Sequence, residues 1–172
     1  MGLTFAELTD SPLGPISMMA GDFGLEEIAF SSLKVFKEQH TLQVKEPSLE
    51  GLEIVGALLA ELNEYLFGIR KTFSVAVDWK SMGHFQKQVL TLTASIPYGQ
   101  VWTYGEIARR LGKPGAARAV GRALGDNPVP IVIPCHRVVG SDGRLRGYAG
   151  GLDRKAFLLN LEGLQLDGHK II

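Results

Sequence analysis

The first third of the chain alternates short apolar stretches with turn-forming residues. Turn signals occur at residues 11–15 (SPLGP) and 21–24 (GDFG), the pattern of short antiparallel strands joined by hairpins. From Ser48 to Phe67, apolar residues recur at intervals of three and four, which predicts an amphipathic helix of about five turns that covers the sheet. Its predicted apolar face consists of Leu49, Leu52, Val55, Leu58, Leu59, Leu62, Leu66 and Phe67.

A further extended segment is predicted at residues 73–78, where apolar and polar residues alternate before the pattern changes. Helical periodicity dominates beyond it. The remaining predicted elements are a helix over 85–93, a helix from 104 to 111, a helix over 116–124, a hairpin turn at 140–143, a permissive loop at 147–151 and a helix over 153–161.

The two central helices of the second half carry clear end signals. Thr103 and Glu106 have the spacing of a capping box, Gly112 ends the first helix, and Pro114 is placed in the first turn of the next. Two short helices joined by such a turn form a helix-turn-helix. A tight helical hairpin within any all-α core has the same pattern.

Charge separates these two interpretations. Of the 172 residues, residues 1–81 contain 6 Lys/Arg and 12 Asp/Glu, a net charge of −6, whereas residues 82–172 contain 12 and 6, a net charge of +6. The basic half favours a polyanion as partner, and the second helix carries Arg118 and Arg122 one turn apart on one face. DNA binding is therefore favoured.

The pattern and the charge together predict two domains with a boundary near residue 81. Residues 1–81 are expected to form an α/β domain with a small antiparallel sheet and helices. Residues 82–172 are expected to form a mostly α, winged-helix-like domain that contains the helix-turn-helix. No apolar run reaches the length of a spanning helix and no signal peptide is evident, so the expected location is intracellular, in the cytoplasm.

Cys135 is the only cysteine of the chain, so neither an intramolecular disulfide nor a thiolate-rich zinc site is possible. It is either a buried core residue or a reactive thiol. Three prolines at 128, 130 and 134 stiffen the preceding segment, and His136 follows directly, which is typical of a nucleophile and its base. Adjacent side chains do not face each other, so a bridging water is the expected relay. An acidic residue that orients the imidazole could be any of Asp142, Asp153, Glu162 and Asp167.

Several motifs resemble those of the O6-alkylguanine-DNA alkyltransferases. They are PCHRV at 134–138, ARAVG at 117–121, NP at 127–128, IPYG at 96–99, YAGGL at 148–152 and EG at 162–163. The resemblance covers nearly the whole basic half and only loosely the acidic half. It implies transfer of a methyl or larger alkyl group from O6 of guanine in DNA to Cys135, in a single turnover without cofactor or metal. O4-alkylthymine is a second candidate lesion.

The resemblance also implies roles for individual residues. His136 takes the thiol proton through water, Glu162 orients the imidazolium, the Tyr104 hydroxyl lies near guanine N3, and Asn127 braces the turn. The Ala149 amide lies near O6, and the carbonyls of Cys135 and Val138 accept from the exocyclic amine. Additional expected pocket residues are Tyr148, Gly150 and Pro130.

For DNA, the resemblance implies a monomer that binds the minor groove and extrudes the damaged nucleotide. Arg118 fills the gap in the duplex, Ala117 accompanies it on the same helix, and Arg122 is expected to contact phosphate. Three alternatives remain open: a non-enzymatic lesion-binding relative, a helix-turn-helix regulator, and a Cys-His hydrolase.

Overall fold

The computed structural model describes residues 2–40 and 46–172. The chain divides into two compact units, Met1–Ser81 and Met82–Ile172.

The first unit is built on a three-stranded antiparallel sheet in the order β1-β2-β3. The central strand is buried along its whole length, because β1 and β3 pair with its two edges and helices contact the sheet. The elements are β1 (Thr4–Leu8), β2 (Ile16–Gly21), β3 (Gly24–Ala29), α1 (Leu33–Gln39) and α2 (Leu49–Leu66). The sheet and the long helix are confirmed; α1 was not predicted.

The long helix α2 begins where expected but uses a different face. The Ser48 hydroxyl accepts from the Gly51 amide at 3.0 Å and caps the helix. A Cβ at Gly51 would lie 3.1 Å from the Ala20 carbonyl oxygen, so the close approach of helix and sheet requires glycine here. Leu49, Leu52 and Phe67, predicted to be apolar-face residues, are exposed.

Tyr65 and Glu61 occupy buried positions of α2 in their place. The Glu61 carboxylate accepts from the backbone amide and hydroxyl of Ser74, and the Arg70 guanidinium lies 3.5 Å away. Burial of this charge is possible because all these partners satisfy it. Periodicity misses such a residue, since it counts only apolar side chains.

The extended segment predicted at 73–78 is not a regular strand. It makes one isolated parallel bridge, between Leu25 and Val77. The Leu25 amide donates to Ala76 at 2.8 Å and the Asp78 amide donates to Leu25 at 2.9 Å. Earlier in the segment, the Ser74 amide donates to the Glu61 carboxylate at 2.9 Å.

The second unit is mostly helical. Its helices are α3 (His84–Ala94), α4 (Tyr104–Arg110), α5 (Ala117–Gly125) and α6 (Leu152–Leu161), and a single 3₁₀ turn spans Cys135–Arg137. Both halves of the Thr103–Glu106 capping box are formed, and Gly112 ends α4 with a φ of 72°. The placement of Pro114 was wrong: α5 is capped by Ala116, and Pro114 lies in the turn closed by the Ala116 amide on the Lys113 carbonyl.

Four two-residue strands complete this unit, and none was predicted, because two residues give no alternation to recognise. They are β4 (Trp102–Thr103), β5 (Val138–Val139), β6 (Leu166–Asp167) and β7 (Lys170–Ile171). β4 and β5 pair in parallel, which places the start of α4 beside the residues that follow Cys135.

The β6–β7 hairpin binds the segment after the turn at 140–143. The Leu145 amide donates to the His169 carbonyl at 2.8 Å, and the Ile171 amide donates to the Gly143 carbonyl at 3.0 Å. No helix within the described residues is long and apolar enough to cross a membrane.

Thr103→Ala should destabilise the second unit by about 1 kcal/mol, the usual cost of losing an N-cap. Thr91→Ala, the same substitution at an exposed position of α3, is the control and should change stability little. Urea denaturation of both variants measures the difference, and equal stability of the two would contradict the capping role.

Candidate active site

Cys135 begins a buried 3₁₀ turn and is itself only 6% exposed. The preceding segment is rigid and bent: the Ile133 amide donates to the Val129 carbonyl at 3.0 Å, and Ile131 has a φ of 74°. A β-branched residue rarely adopts a positive φ, so this bend is strained and persists because its surroundings hold it. The Cys135 amide then donates to the Ile133 carbonyl at 2.8 Å. Cys135 is thus presented on a fixed backbone.

Asn127 ties this bend to the sulfur. Its side-chain nitrogen donates to the Ile133 carbonyl at 3.0 Å and to the Cys135 Sγ at 3.2 Å. Its side-chain oxygen accepts from the Val129 amide at 3.1 Å. One buried amide therefore fixes the approach to the turn and supplies a donor to the thiol.

Glu162, at the C-terminal end of α6, holds the turn from the other side. Its carboxylate accepts from His136 Nε2 at 2.9 Å, from the Gly99 amide at 2.9 Å and from the Arg137 guanidinium through Nε and Nη2. The side chains of His136 and Glu162 are fully buried. Arg137 also donates to the Ile96 carbonyl at 2.6 Å.

Among the four acidic candidates left open by the sequence, Glu162 is the residue that contacts His136. Asp142 pairs with Arg146, and Asp153 pairs with His169, in both cases at the surface. Asp167 lies on β6 and is exposed.

The electrostatics favour neutral groups at rest. Burial lowers the pKa of His136 despite the pull of the Glu162 carboxylate. Burial also raises the pKa of the Cys135 thiol, against the effects of the Asn127 amide and the Lys155 ammonium. Because Nε2 donates to the carboxylate, Nδ1 is the nitrogen with the lone pair that can accept a proton.

A cleft of about 770 Å³ collects five of the predicted residues: Tyr104, Ala117, Arg118, Tyr148 and Ala149. Burial, followed by the charge of Cys135, raises the pKa of Tyr104 to about 12, so its hydroxyl remains a proton donor at neutral pH. The rings of His136 and Tyr148 are 6.5 Å apart in an edge-on arrangement.

The other predicted pocket residues do not line this cleft. Pro130, Val138 and Gly150 are buried beneath the surface. Arg122 lines a separate groove of about 520 Å³ between α3 and α5, together with Gln86 and Asp126. Arg118 lines both cavities and therefore stands on the ridge between them.

Sequence reasoning missed two residues of this site, Arg137 and Lys155. Lys155 is completely buried on α6, and its ammonium donates to the carbonyls of Val138 at 2.6 Å and Arg146 at 2.9 Å. Lys155 shares the buried face of α6 with Leu158 and Leu159. Because lysine is rarely buried unless its charge has partners, this position in an amphipathic helix could have indicated a functional residue. Arg137 belongs to the PCHRV motif at 134–138, but the sequence predicts no role for its side chain.

Within the described parts of the chain, no three His, Cys, Asp or Glu side chains come together in a group that could hold a metal ion.

Comparison with known proteins places this site in a family. Residues 84–164 match the family described as 6-O-methylguanine DNA methyltransferase, DNA binding domain. A methylated-DNA–protein-cysteine methyltransferase of Methanosarcina acetivorans is 42% identical over 154 residues, which are 90% of this chain and 95% of that protein. The chain belongs to the methylated-DNA–protein-cysteine methyltransferases.

Further members of this methyltransferase family are similar to the chain over most of its length. The Mycobacterium tuberculosis protein of the same name is 39% identical over 153 residues, covering 89% of this chain and 88% of that one. The crystal structure of Mycobacterium tuberculosis OGT in complex with DNA matches with a TM-score of 0.78 and 38% identity, over 92% and 91% of the two chains. The fold expected from the resemblance, a small antiparallel sheet with helices followed by a helical region, is confirmed.

Glu162→Gln should destabilise this methyltransferase by about 3–5 kcal/mol, because it leaves the buried Arg137 guanidinium without its counter-charge. The double variant Glu162→Gln/Arg137→Met should lose less than the sum of the two single losses. Asp142→Asn, which breaks an exposed ion pair, is the control and should leave stability nearly unchanged. Urea denaturation of the wild type, Glu162→Gln, Arg137→Met, the double variant and Asp142→Asn measures these energies, and strictly additive losses would show that the pair is not coupled.

Proposed function

We propose that this protein repairs DNA by transferring a methyl or larger alkyl group from O6 of guanine to the sulfur of Cys135, once per molecule. The observation that carries the proposal is the buried turn of Cys135, whose next residue His136 donates to the Glu162 carboxylate at 2.9 Å, together with a cleft lined by Tyr104 and residues of α5. Membership in a family named for this reaction supports it.

The transfer is a displacement at carbon. The Cys135 thiol gives its proton through a water molecule to His136, whose imidazolium is stabilised by the Glu162 carboxylate 2.9 Å away. The thiolate forms a bond to the alkyl carbon as the bond from that carbon to O6 breaks, and the electron pair of the broken bond stays on the guanine. The thioether is stable, which limits the protein to one turnover.

The guanine leaves more readily when donors meet its developing negative charge. Tyr104 has a hydroxyl that stays protonated at neutral pH and lines the cleft, which suits donation to guanine N3. Ala149 lines the same cleft, so its amide is the proposed donor to O6. The carbonyls of Cys135 and Val138 are the proposed acceptors for the exocyclic amine.

Substrate size is proposed to depend on Gly150 and Pro130, the two residues that the family resemblance assigns to the pocket. Gly150 is buried, and its carbonyl accepts from Arg154 at 2.9 Å. Pro130 is buried in the strained bend before Cys135. Because neither adds a bulky flexible side chain, the pocket should accept benzyl-sized groups as well as methyl.

DNA is the proposed partner, bound through the minor groove by α4 and α5 as a helix-turn-helix. The damaged base must leave the stack to reach a sulfur that is 6% exposed. Arg118 lines both cavities and is the residue proposed to fill the gap, with Ala117 beside it, and the exposed Arg122 is proposed to contact phosphate. The protein is proposed to act as a monomer inside the cell.

A non-enzymatic relative that only binds the lesion is the second candidate, since it would share the cleft and α5. A nucleophile held in place by Asn127 and backed by His136 and Glu162 favours transfer over binding alone.

Incubation with a duplex containing O6-methylguanine should add one methyl group to Cys135 and none elsewhere, as read by intact-protein and peptide mass spectrometry. Cys135→Ala should abolish transfer and keep DNA affinity. Repeated turnover by the wild type would rule out the single-use reaction, and tight lesion binding without transfer would favour the non-enzymatic candidate.

Arg118→Ala should slow repair of duplex DNA much more than reaction with free O6-benzylguanine, because the free base needs no extrusion. Arg122→Ala, the matched arginine one turn later, should instead lower the slope of log affinity against log salt by about one unit at most. Repair rates on both substrates and binding at several salt concentrations measure this. An Arg118→Ala defect of equal size on duplex and free base would mean that Arg118 supports the pocket.

A further inference from the structure

Lys155 is a buried cation that the proposed mechanism does not use. Its side chain is fully buried on α6, and its ammonium is anchored on the carbonyls of Val138 and Arg146 at 2.6 and 2.9 Å. Both acceptors are neutral. Among the residues for which positions are described, no carboxylate lies within ion-pair distance of it.

Burying a cation without a counter-charge is costly, and burial lowers the pKa of Lys155 to about 8. The buried carboxylate of the site, Glu162, is already bound by His136, Arg137 and the Gly99 amide. An anion is therefore missing from the surroundings of Lys155 while Cys135 is a thiol.

Lys155 is hydrogen-bonded to the end of the turn that carries the sulfur. Val138, which accepts from the ammonium, caps the 3₁₀ turn that begins at Cys135, and its amide donates back to the Cys135 carbonyl. The ammonium also lies 6.0 Å from the centre of the Tyr104 ring, in the wall of the cleft. The charges of Cys135 and Lys155 act on each other, since each favours the ionised form of the other.

We propose that Lys155 is the counter-ion of the Cys135 thiolate: its ammonium stabilises the negative charge that forms on the sulfur before attack. The inference rests on the proposed role of Cys135 as nucleophile. His136 removes the proton, and Lys155 keeps the resulting anion stable in a buried site. Lys155 is thus an electrostatic partner of the sulfur and also links the two backbone segments that flank the cleft.

Other ionisable groups also surround this sulfur. His136 and Arg137 lie on the same turn as Cys135. Tyr104 lies on α4, and Arg146 and Tyr148 lie in the loop before α6. Glu162 follows the last residue of α6. Of these, Arg137 is neutralised by Glu162, and the Arg146 guanidinium pairs with Asp142 at the surface. Lys155 is therefore the buried cation left to balance the thiolate.

The test measures the ionisation of Cys135 directly. Because the chain has one cysteine, the rate of its reaction with iodoacetamide as a function of pH reports the Cys135 thiolate alone. Lys155→Met should raise the apparent pKa of the thiol by about one to three units, so the rate at pH 7 should fall at least about tenfold and recover at high pH.

Arg154→Met is the matched control. It removes a cation from the neighbouring position of α6 together with a hydrogen bond to a loop carbonyl, that of Gly150 at 2.9 Å, but this cation is not fully buried. Its pH profile should match the wild type. An unchanged midpoint with a lower rate at every pH in Lys155→Met would overturn the proposal and leave Lys155 as a backbone clamp.

A second measurement uses the wild-type protein, so it tests the proposal even if Lys155→Met does not fold. Blocking Cys135 with methyl methanethiosulfonate makes the sulfur permanently neutral. Since the coupling between two titrating groups is reciprocal, the pKa of Lys155, followed by NMR of its labelled side chain, should fall after blocking. An unchanged pKa would contradict the ion pair.

Neither measurement uses DNA. Failure of the counter-ion proposal is therefore distinguishable from failure of alkyl transfer, which the mass spectrometry experiment tests.

Discussion

The buried carboxylate of Glu162 is the interaction on which the site depends. It collects donors from the turn that follows Cys135 and from the loop after α3, and Arg137 extends the network to the Ile96 carbonyl. A carboxylate removed from water is stable only when such partners surround it. Loss of one segment would therefore destabilise the contacts that Glu162 makes with the others. The position of the imidazole behind the sulfur follows from this network.

Two of the buried charges of the site come from α6 and its C-cap. Glu162 and Lys155 are seven residues apart, which is about two turns, so both project from α6 toward the Cys135 turn. The negative group is matched at once by Arg137, whereas the positive group has only carbonyl partners. Burial keeps His136 neutral and Cys135 a thiol at rest, whereas the charge of Lys155 favours the thiolate.

Much of this arrangement could be predicted from sequence, for identifiable reasons. The capping box at Thr103 and the periodicity of α2 are local signals, and the structure has both. The PCHRV segment at 134–138 led to the family by resemblance. Spacing could not select Glu162 among four acidic residues, because the contact with His136 spans 26 residues and depends on how α6 packs.

The errors share a physical cause. Leu49, Leu52 and Phe67 fit a helical stripe but are exposed, whereas the buried side of α2 includes the charged Glu61. Strands of two residues and the buried ions Arg137 and Lys155 depend on partners distant in sequence. The local sequence pattern indicates which residues could be buried. Tertiary contacts determine which of those residues are buried in the folded protein.

The terminal β6–β7 hairpin has a consequence for how freely the chain can vary. It holds residues 143–145, which lead into the cleft wall, through main-chain groups: the Leu145 amide on the His169 carbonyl and the Ile171 amide on the Gly143 carbonyl. Hydrogen bonds of this kind do not depend on the identity of the side chains that accompany them. The exposed positions of this hairpin should therefore tolerate broad sequence diversity in a mutational library, while α6, whose support runs through two particular side chains, should tolerate almost none at Lys155 and Glu162.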